Sequence, residues 1–438
     1  MFVSIPIPKE VLPIATSLFD RALAIGRPPN VVKLFPNSRA LIVSGKAIDR
    51  AMLIKGRAMA IAANGRSHLV IRGVLAAAQR ADAAVIIEIA KSEGGANAYC
   101  STSLWNVARQ VDALCNEMGI TVPVAVHCDH YSINSSADLD KAKVEIPSLF
   151  DYGITSIAID ASHLTDDENL LVNIALKDYV PAWVGYETEV GEIKGKVGLS
   201  TPAEACYLIK GLNAHGIYAD WIALNNGTTH GIEASDMGIQ VELTASIHQA
   251  LAPYKVSGAQ HGISGNNYGR LRRIATESRT TKANVATALQ MISWGIKVNE
   301  YGNVELSDQD EFIKISGQGL SDELWAEIRK YAAEHDIKGS NYKKVNLLFE
   351  NKILGQSAVV RCRMVKAVED FVFTLLVEIF NARDTAPLAI EAIVAAGSYD
   401  LGPKVDRIED PAEWTEAKLR ARATKLYRYK GPEGNFDD

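Results

Sequence analysis

One unit recurs eight times along the chain: a short, β-rich apolar run followed by a stretch with helical periodicity. The apolar runs are Ala58–Ala63, Ala84–Ala90, Val122–Cys128, Thr155–Asp160, Trp183–Val190, Trp221–Asn225, Val256–Gln260 and Gly295–Asn299. Helical patterns follow the first six near Ser67–Ala81, Ser101–Met118, Ser136–Tyr152, Asp166–Lys177, Thr201–Ala214 and Gln240–Pro253. After the seventh run comes a long insertion, then a helical pattern near Lys282–Ser293. Strands apolar on both faces suit a parallel sheet covered by helices. Eight such units are the number that closes a barrel. The expected fold is therefore α/β, a (β/α)8 TIM barrel with an N-terminal extension and additional C-terminal helices. An open doubly wound sheet is the competitor, and it is disfavoured because no Gly-rich dinucleotide fingerprint opens the chain.

The 438 residues, 47% of them hydrophobic, suffice for a barrel of roughly 250 residues plus additions. The expected division is 1–55 as an extension packing on the barrel, 56–306 as the catalytic barrel and 307–438 as a helical region. In the last region, Gly355–Ile379 is long and apolar enough to pack on the barrel or at a subunit interface. It points, with the resemblance below, to a homo-oligomer, a dimer or larger. A formal net charge of -6 gives no bulk attraction to nucleic acid. Five scattered cysteines, none in CxxC spacing, fit a reducing cytoplasm better than a disulfide framework. No apolar run is long enough to span a bilayer, and the first residues lack a secretory pattern, so membrane insertion and export are not expected.

Polar residues stand at the end of each apolar run. They are Asn64; Ser92 with Gly94 and Gly95; Asp129 and His130; Asp160, then Ser162 and His163; Glu187 and Glu189; Asn225, Asn226, then His230; His261, Gly262, Ser264 and Gly265; and Asn299 with Glu300. In a parallel barrel these positions meet on one rim, where catalytic groups gather. Three of the nine histidines, His130, His230 and His261, lie on that rim. Three imidazoles and an open position form a catalytic zinc pattern. Any one of them alone reads as a hydrogen-bonded core or surface histidine; the set points to a metal. His127 shares a strand face with Asp129. It either orients Asp129 or packs beneath the site.

The stretches VPVAVHCDH (122–130), GITSIAIDASHL (153–164), YETEVG (186–191), NGTTHG (226–231), HGISG (261–265) and KVN (297–299) resemble class II, zinc-dependent fructose-bisphosphate aldolases. Asn64 and the run Ser92-Glu93-Gly94-Gly95-Ala96 look like that family's first two strand ends. The resemblance implies cleavage of a ketose bisphosphate, most simply fructose 1,6-bisphosphate, to dihydroxyacetone phosphate and glyceraldehyde 3-phosphate. By it, His130, His230 and His261 hold Zn2+ or another divalent metal, and a monovalent cation is a further expected cofactor. Asp129 is the general acid/base at the C4 hydroxyl, Glu189 stands near the metal, and Asn299 lies beside the dihydroxyacetone-phosphate carbons. Gly231, Gly262 and Ser264 cradle a phosphate, with Asn64 and Ser92 toward the rest of the substrate.

The chain departs from the family in four places, one of them Ile263, which stands in HGISG where the family has Gly and narrows the phosphate loop. The family follows K-x-N with an apolar residue and then Asp-Thr, whereas Lys297-Val298-Asn299 is followed by Glu300-Tyr301-Gly302. The loop after the fifth strand lacks the family's carboxylate, with Lys194–Gly198 in its place and Glu192 nearby. Arg270, Arg272 and Arg273 follow the HGISG loop and either restore charge at the phosphate or start a basic surface helix. Tagatose-type bisphosphates stay open as substrates. Two other classes compete: a Schiff-base aldolase with Lys297 as nucleophile, and a non-catalytic relative that keeps the metal.

Overall fold

The computed structural model describes residues 17–96, 98–191, 198–227, 238–263, 266–299, 303–309 and 311–426. Eight parallel strands close a barrel in sequential order: β1 (Ala60–Asn64), β2 (Val85–Ala90), β3 (Val124–Ser132), β4 (Ser156–Asp160), β5 (Gly185–Val190), β6 (Trp221–Leu224), β7 (Ser257–Gln260) and β8 (Thr280–Val285). Closure is made by β1 on β8, from Ala60↔Lys282 to Ala63↔Val285. Every residue of these strands is buried except at the end of β3, as expected of a sheet with side chains inside and helices outside. Local signals start the helices just past the strand ends. Ser67 Oγ caps His68–Ala81 by accepting from Val70 N, and Thr201 with Glu204 forms a capping box for Pro202–Ala214.

The first seven strands lie where the apolar runs place them, and the eighth does not. β8 is Thr280–Val285, inside the span expected to be helical, and the helix proper is Thr287–Trp294. Gly295–Asn299 lies beyond that helix, where Ile296↔Lys314, Val298↔Val304 and Leu306↔Phe312 bridges are antiparallel and outside the barrel. The helix that follows β7 is Tyr268–Glu277, in the stretch expected to be an insertion. The misreading has a physical cause. β8 turns Lys282 and Asn284 inward onto carboxylates of other strands, so its buried face is polar and carries no hydrophobic pattern.

The N-terminal end of the barrel is floored by the helix Gly45–Lys55. A Cβ on Gly45 would stand 2.6 Å from Ser156 Oγ and 3.1 Å from the Trp221 ring, so only a bare backbone fits there. Asp49 of this helix accepts from Thr281 Oγ1 and from Lys404 Nζ, each at 2.7 Å. The helix Ala358–Thr374 packs on His68–Ala81 at the β8–β1 seam, and a Cβ on Gly73 would meet Val368 at 2.7 Å. Val368, Val372 and Leu376 belong to the same hydrophobic cluster as the barrel. A second cluster, built on Trp294, Trp325, Ile328 and Phe349, lies under the segment between β8 and that helix. Among the described residues no helix is long and apolar enough to cross a membrane.

Candidate active site

Adjacent residues on a regular strand point to opposite faces, yet Asp129 and His130 both reach the barrel mouth. Cys128 pairs with Ile157 and Tyr131 with Ile159, so β3 carries one more residue than β4 between these pairs. His130 absorbs the extra residue with a left-handed backbone, φ +42°. A bulge of this kind re-aims a side chain, and here it puts the imidazole on the same side as the carboxylate of Asp129.

At the mouth, His130 Nε2 and His261 Nδ1 face one another at 3.0 Å. The opposite nitrogen of each ring is directed at carboxylates: His130 Nδ1 lies 2.9 Å from Glu189 and 3.2 Å from Asp160, and His261 Nε2 lies 3.4 Å from Glu187. Ligand atoms of Asp129, His130 and His261 lie within 4.8 Å of one another, as do those of His130, Asp160 and Glu189. Burial alone would lower the His130 pKa, but Glu189 and Asp129 overcome it and hold the imidazole well above its usual value. Burial, with Asp160 alongside, pushes Glu189 up to about 7. The five carboxylates Glu88, Asp129, Asp160, Glu187 and Glu189 are all buried, against the single ammonium of Lys282. Burial and Asp129 push Glu88 up as well, so these crowded carboxylates lack enough positive charge around them, as fits a cation at the mouth. Two imidazole nitrogens sharing one tetrahedral zinc stand roughly 3.3 Å apart, close to the 3.0 Å between His130 and His261. The donor set therefore fits a divalent metal.

Beneath the mouth lies a layer that hydrophobic patterning did not reveal. Lys282 Nζ donates to Glu187 at 2.7 Å and to His127 Nε2 at 3.0 Å, and lies 3.4 Å from Glu88 and 3.6 Å from Asp129. Accepting from Lys282 leaves His127 its proton on Nδ1, which faces Ser156 Oγ at 2.8 Å. Asn284 Nδ2 donates to Asp129 Oδ1 and to both oxygens of Glu88 at 3.1 Å. Burial would raise Asp129, yet His130 and Lys282 hold it well below the usual carboxylate range. Burial likewise works against the Lys282 ammonium, and Glu187, Glu88 and Asp129 keep it firmly protonated. Lys282-Ala283-Asn284-Val285-Ala286-Thr287 carries a K-x-N-apolar-x-Thr pattern, of which Lys297-Val298-Asn299 has only the first three positions. That pattern was the available signal. Thr287 is retained, and Ala286 stands where the family has Asp.

The other expected site residues divide. Asn64 is buried at the end of β1, donates to Glu93, and keeps its Oδ1 without a partner. Ser92 is exposed on the short helix Lys91–Gly94. Gly262, φ +63°, follows His261, and its carbonyl accepts from Asn266 Nδ2 at 2.8 Å. Of the three arginines, Arg270 joins this loop, reaching Asn266 Oδ1 at 3.3 Å. Arg272 and Arg273 instead bind Glu378 O and the Glu242 and Glu277 carboxylates on the outer surface. Asn299 is corrected: it sits in the antiparallel ribbon, donating from N to Asn303 O, and the strand-end asparagine is Asn284. Lys297 is likewise off the barrel and paired with Glu305. The Schiff-base reading therefore loses its lysine, and Lys282 is held as an ammonium. His230, Gly231, Ser264, Gly265, Glu192 and Glu300–Gly302 lie outside the described residues.

Residues 50–335 match the sequence model of the family described as Fructose-bisphosphate aldolase class-II. A fructose-bisphosphate aldolase from Staphylococcus epidermidis is 35% identical over 126 residues, 28% of this chain and 40% of that relative. One from Geobacillus stearothermophilus is 36% identical over the same length, 28% of this chain and 39% of the relative. The aligned stretch thus spans about two fifths of these relatives. Among solved structures, the YdjI aldolase from Escherichia coli K12 superposes with a TM-score of 0.52 at 17% identity, covering 79% of this chain and 99% of that one. This last likeness concerns the fold alone.

Proposed function

The chain belongs to the class-II fructose-bisphosphate aldolase family, and from that premise we propose that it cleaves a ketose 1,6-bisphosphate, fructose 1,6-bisphosphate first, between C3 and C4. The observation that carries this reading is the facing pair His130 Nε2 and His261 Nδ1, each ring fixed from behind by carboxylates. Carboxylates behind imidazoles set the tautomer and leave the facing nitrogens as donors. A divalent metal, zinc in this reading, would be held by His130 and His261 with His230 as third ligand, and would supply positive charge at the C2 carbonyl. Asp129 takes the C4 hydroxyl proton, the C3–C4 bond breaks, C4 leaves as an aldehyde, the electron pair passes to C3 and the C2 carbonyl, and a proton delivered to C3 from solvent completes dihydroxyacetone phosphate. Lys282 and Asn284 hold Asp129 ionised and oriented for that step. Glu189 orients His130.

The amide oxygens of Asn64 and Asn284 have no hydrogen-bond partner and stand at the ends of neighbouring strands. They suit the hydroxyls of a polyol chain. Arg270, Gly262, Ser264 and Gly231 bind one phosphate in this reading, and Ser92 lies toward the other end. Ala286 in place of Asp is an observation that favours a second substrate. Tagatose 1,6-bisphosphate tested beside fructose 1,6-bisphosphate separates the two by their kcat/KM. We also read the chain as a catalytic barrel, 56–306, flanked by 1–55 and 307–438, and as a cytoplasmic homo-oligomer whose cysteines stay reduced.

The test is chelation. Thorough metal removal abolishes formation of dihydroxyacetone phosphate, followed by its enzymatic reduction, and zinc restores it. Activity that survives metal removal and is trapped by borohydride would overturn the reading. So would a zinc-loaded protein inert toward a panel of sugar phosphates.

A further inference from the structure

A cleft of about 370 Å³ opens at the N-terminal end of the barrel, opposite the catalytic rim. It lies between the end of the helix Gly45–Lys55, the helix Val241–Ala250, the helix Tyr268–Glu277 and the start of β8. Its volume is in the range of small-molecule sites. The residues that give it chemical character are Arg57, His248, Glu277, Ser278, Arg279 and Thr280.

The cavity is electropositive for a specific reason. Its carboxylate, Glu277, is held by an Arg273 fork at 2.7 and 2.8 Å, a guanidinium that it shares with Glu242 at 2.7 Å. Neither Arg57 nor Arg279 pairs with a carboxylate among the described residues, and Arg279 Nε is buried without a hydrogen-bond partner. His248 adds no charge. Its Nδ1 accepts the Arg279 backbone N–H at 3.1 Å, and burial, with Arg279 alongside, lowers its pKa to about 4. Its Nε2–H is left buried and unpaired. Arg57 takes φ +51° directly after Gly56 at φ +71°. A left-handed backbone is unfavourable for a non-glycine residue, and Arg57, itself exposed, stands at the edge of this cleft. Cations near helix C-termini are favoured by the helix dipole. That effect explains a single surface arginine but not two guanidiniums without carboxylate partners on one open cleft, Arg57 exposed and Arg279 half-buried.

We propose that this cavity is a binding site for a small phosphate monoester, distinct from the catalytic rim. Two free guanidinium charges match the roughly two negative charges of such a group at neutral pH, and the guanidinium fork matches its oxygens in pairs. Ser278 and Thr280 add hydroxyl groups to the wall. The occupant touches the start of β8, the strand whose Lys282 and Asn284 hold Asp129.

Inorganic phosphate is the probe, and the readout is the rise it causes in the thermal unfolding midpoint of the full chain, without substrate. The wild type is expected to be stabilised in a saturable way, and acetate at equal ionic strength is not expected to replace phosphate. The Arg57→Gln/Arg279→Gln double variant should weaken the response at least tenfold in phosphate concentration, with at most a small fall in the midpoint in its absence, as the helix-dipole contribution is lost. Arg270→Gln, at the catalytic rim, should keep the saturable response of the floor site. Single Arg57→Lys and Arg279→Lys variants keep the charge but lose the fork, and should show intermediate responses even if the double variant folds poorly. A wild type indifferent to phosphate, a double variant that responds in full, or a response abolished by Arg270→Gln would each overturn the proposal. None of these outcomes depends on metal or turnover, so failure of the aldolase reading is seen separately.

Discussion

Replacing Lys282 with methionine removes the one ammonium beneath Glu88, Asp129 and Glu187 while keeping most of the side-chain volume. The ammonium lies 2.7 Å from Glu187, 3.4 Å from Glu88 and 3.6 Å from Asp129, all buried. At an effective dielectric of about 20, a unit charge at the Asp129 distance is worth about 4–5 kcal/mol, on the order of a thousandfold in that acid's ionisation constant. Breaking one side of a buried ion cluster costs about 3–5 kcal/mol of stability. For a chain of 438 residues, unfolding entropies of about 2 cal/mol/K per residue turn that into a fall of about 3–5 °C in the thermal midpoint. The loss has a definite pH dependence. In the wild type, Asp129 and Glu187 have folded pKa values below their unfolded ones. Their stabilisation is present above about pH 4 and fades as pH falls through the folded values. Glu88 is already held well above its ordinary value by burial and Asp129, with Lys282 restraining that rise; in Lys282→Met it and a second buried carboxylate hold protons above their unfolded pKa values, so the variant weakens further as pH rises. The gap between the two proteins therefore widens from pH 5 to pH 7.5, and the acidic limb of kcat/KM moves to higher pH. Circular dichroism melts at several pH values measure this. A variant that melts with the wild type, or a gap that does not change with pH, would refute the assignment of Lys282 as the charge that holds the cluster.

Further outcomes are expected from the same geometry. Asp129→Ala should retain metal, measured by elemental analysis, and lose about 10²–10⁴-fold in turnover; near-normal turnover would show that another group moves the C4 proton. Asn284→Ala should cut kcat/KM more than tenfold while Asn299→Ala stays within about twofold, and the reverse order would return the strand-end role to Asn299. Gly73→Val should destabilise by about 1–3 kcal/mol through overpacking against Val368, read from denaturant unfolding, and an unchanged midpoint would mean the two helices separate without cost.

Seven of the eight strands, and with them Asn64, Asp129, Glu187, Glu189 and His261 at the rim, could be read from the chain because their signals are local. An apolar run followed by a capped helical pattern marks each unit without knowledge of its neighbours. β8 was not legible in that way. The polarity of Lys282 and Asn284 makes sense only beside Glu88, Asp129 and Glu187, which come from strands far away in the sequence. The short pattern Lys282–Thr287 was present, but a second K-x-N at Lys297 sat on a more apolar run and drew the assignment away.

By itself the sequence determined the barrel, the rim and the residue types available for chemistry there, since backbone periodicity and apolar burial act over a few residues. Only the tertiary structure decided which of those residues meet. The β3 bulge and the left-handed backbone of His130 turn two adjacent side chains to one side. The choice of Asn284 over Asn299 and of Arg270 over Arg272 and Arg273 depends on where an element lies around the barrel. The physical reason is range: a strand's own residues set its period, but a buried charge is stable only beside opposite charges that the closed barrel brings from elsewhere.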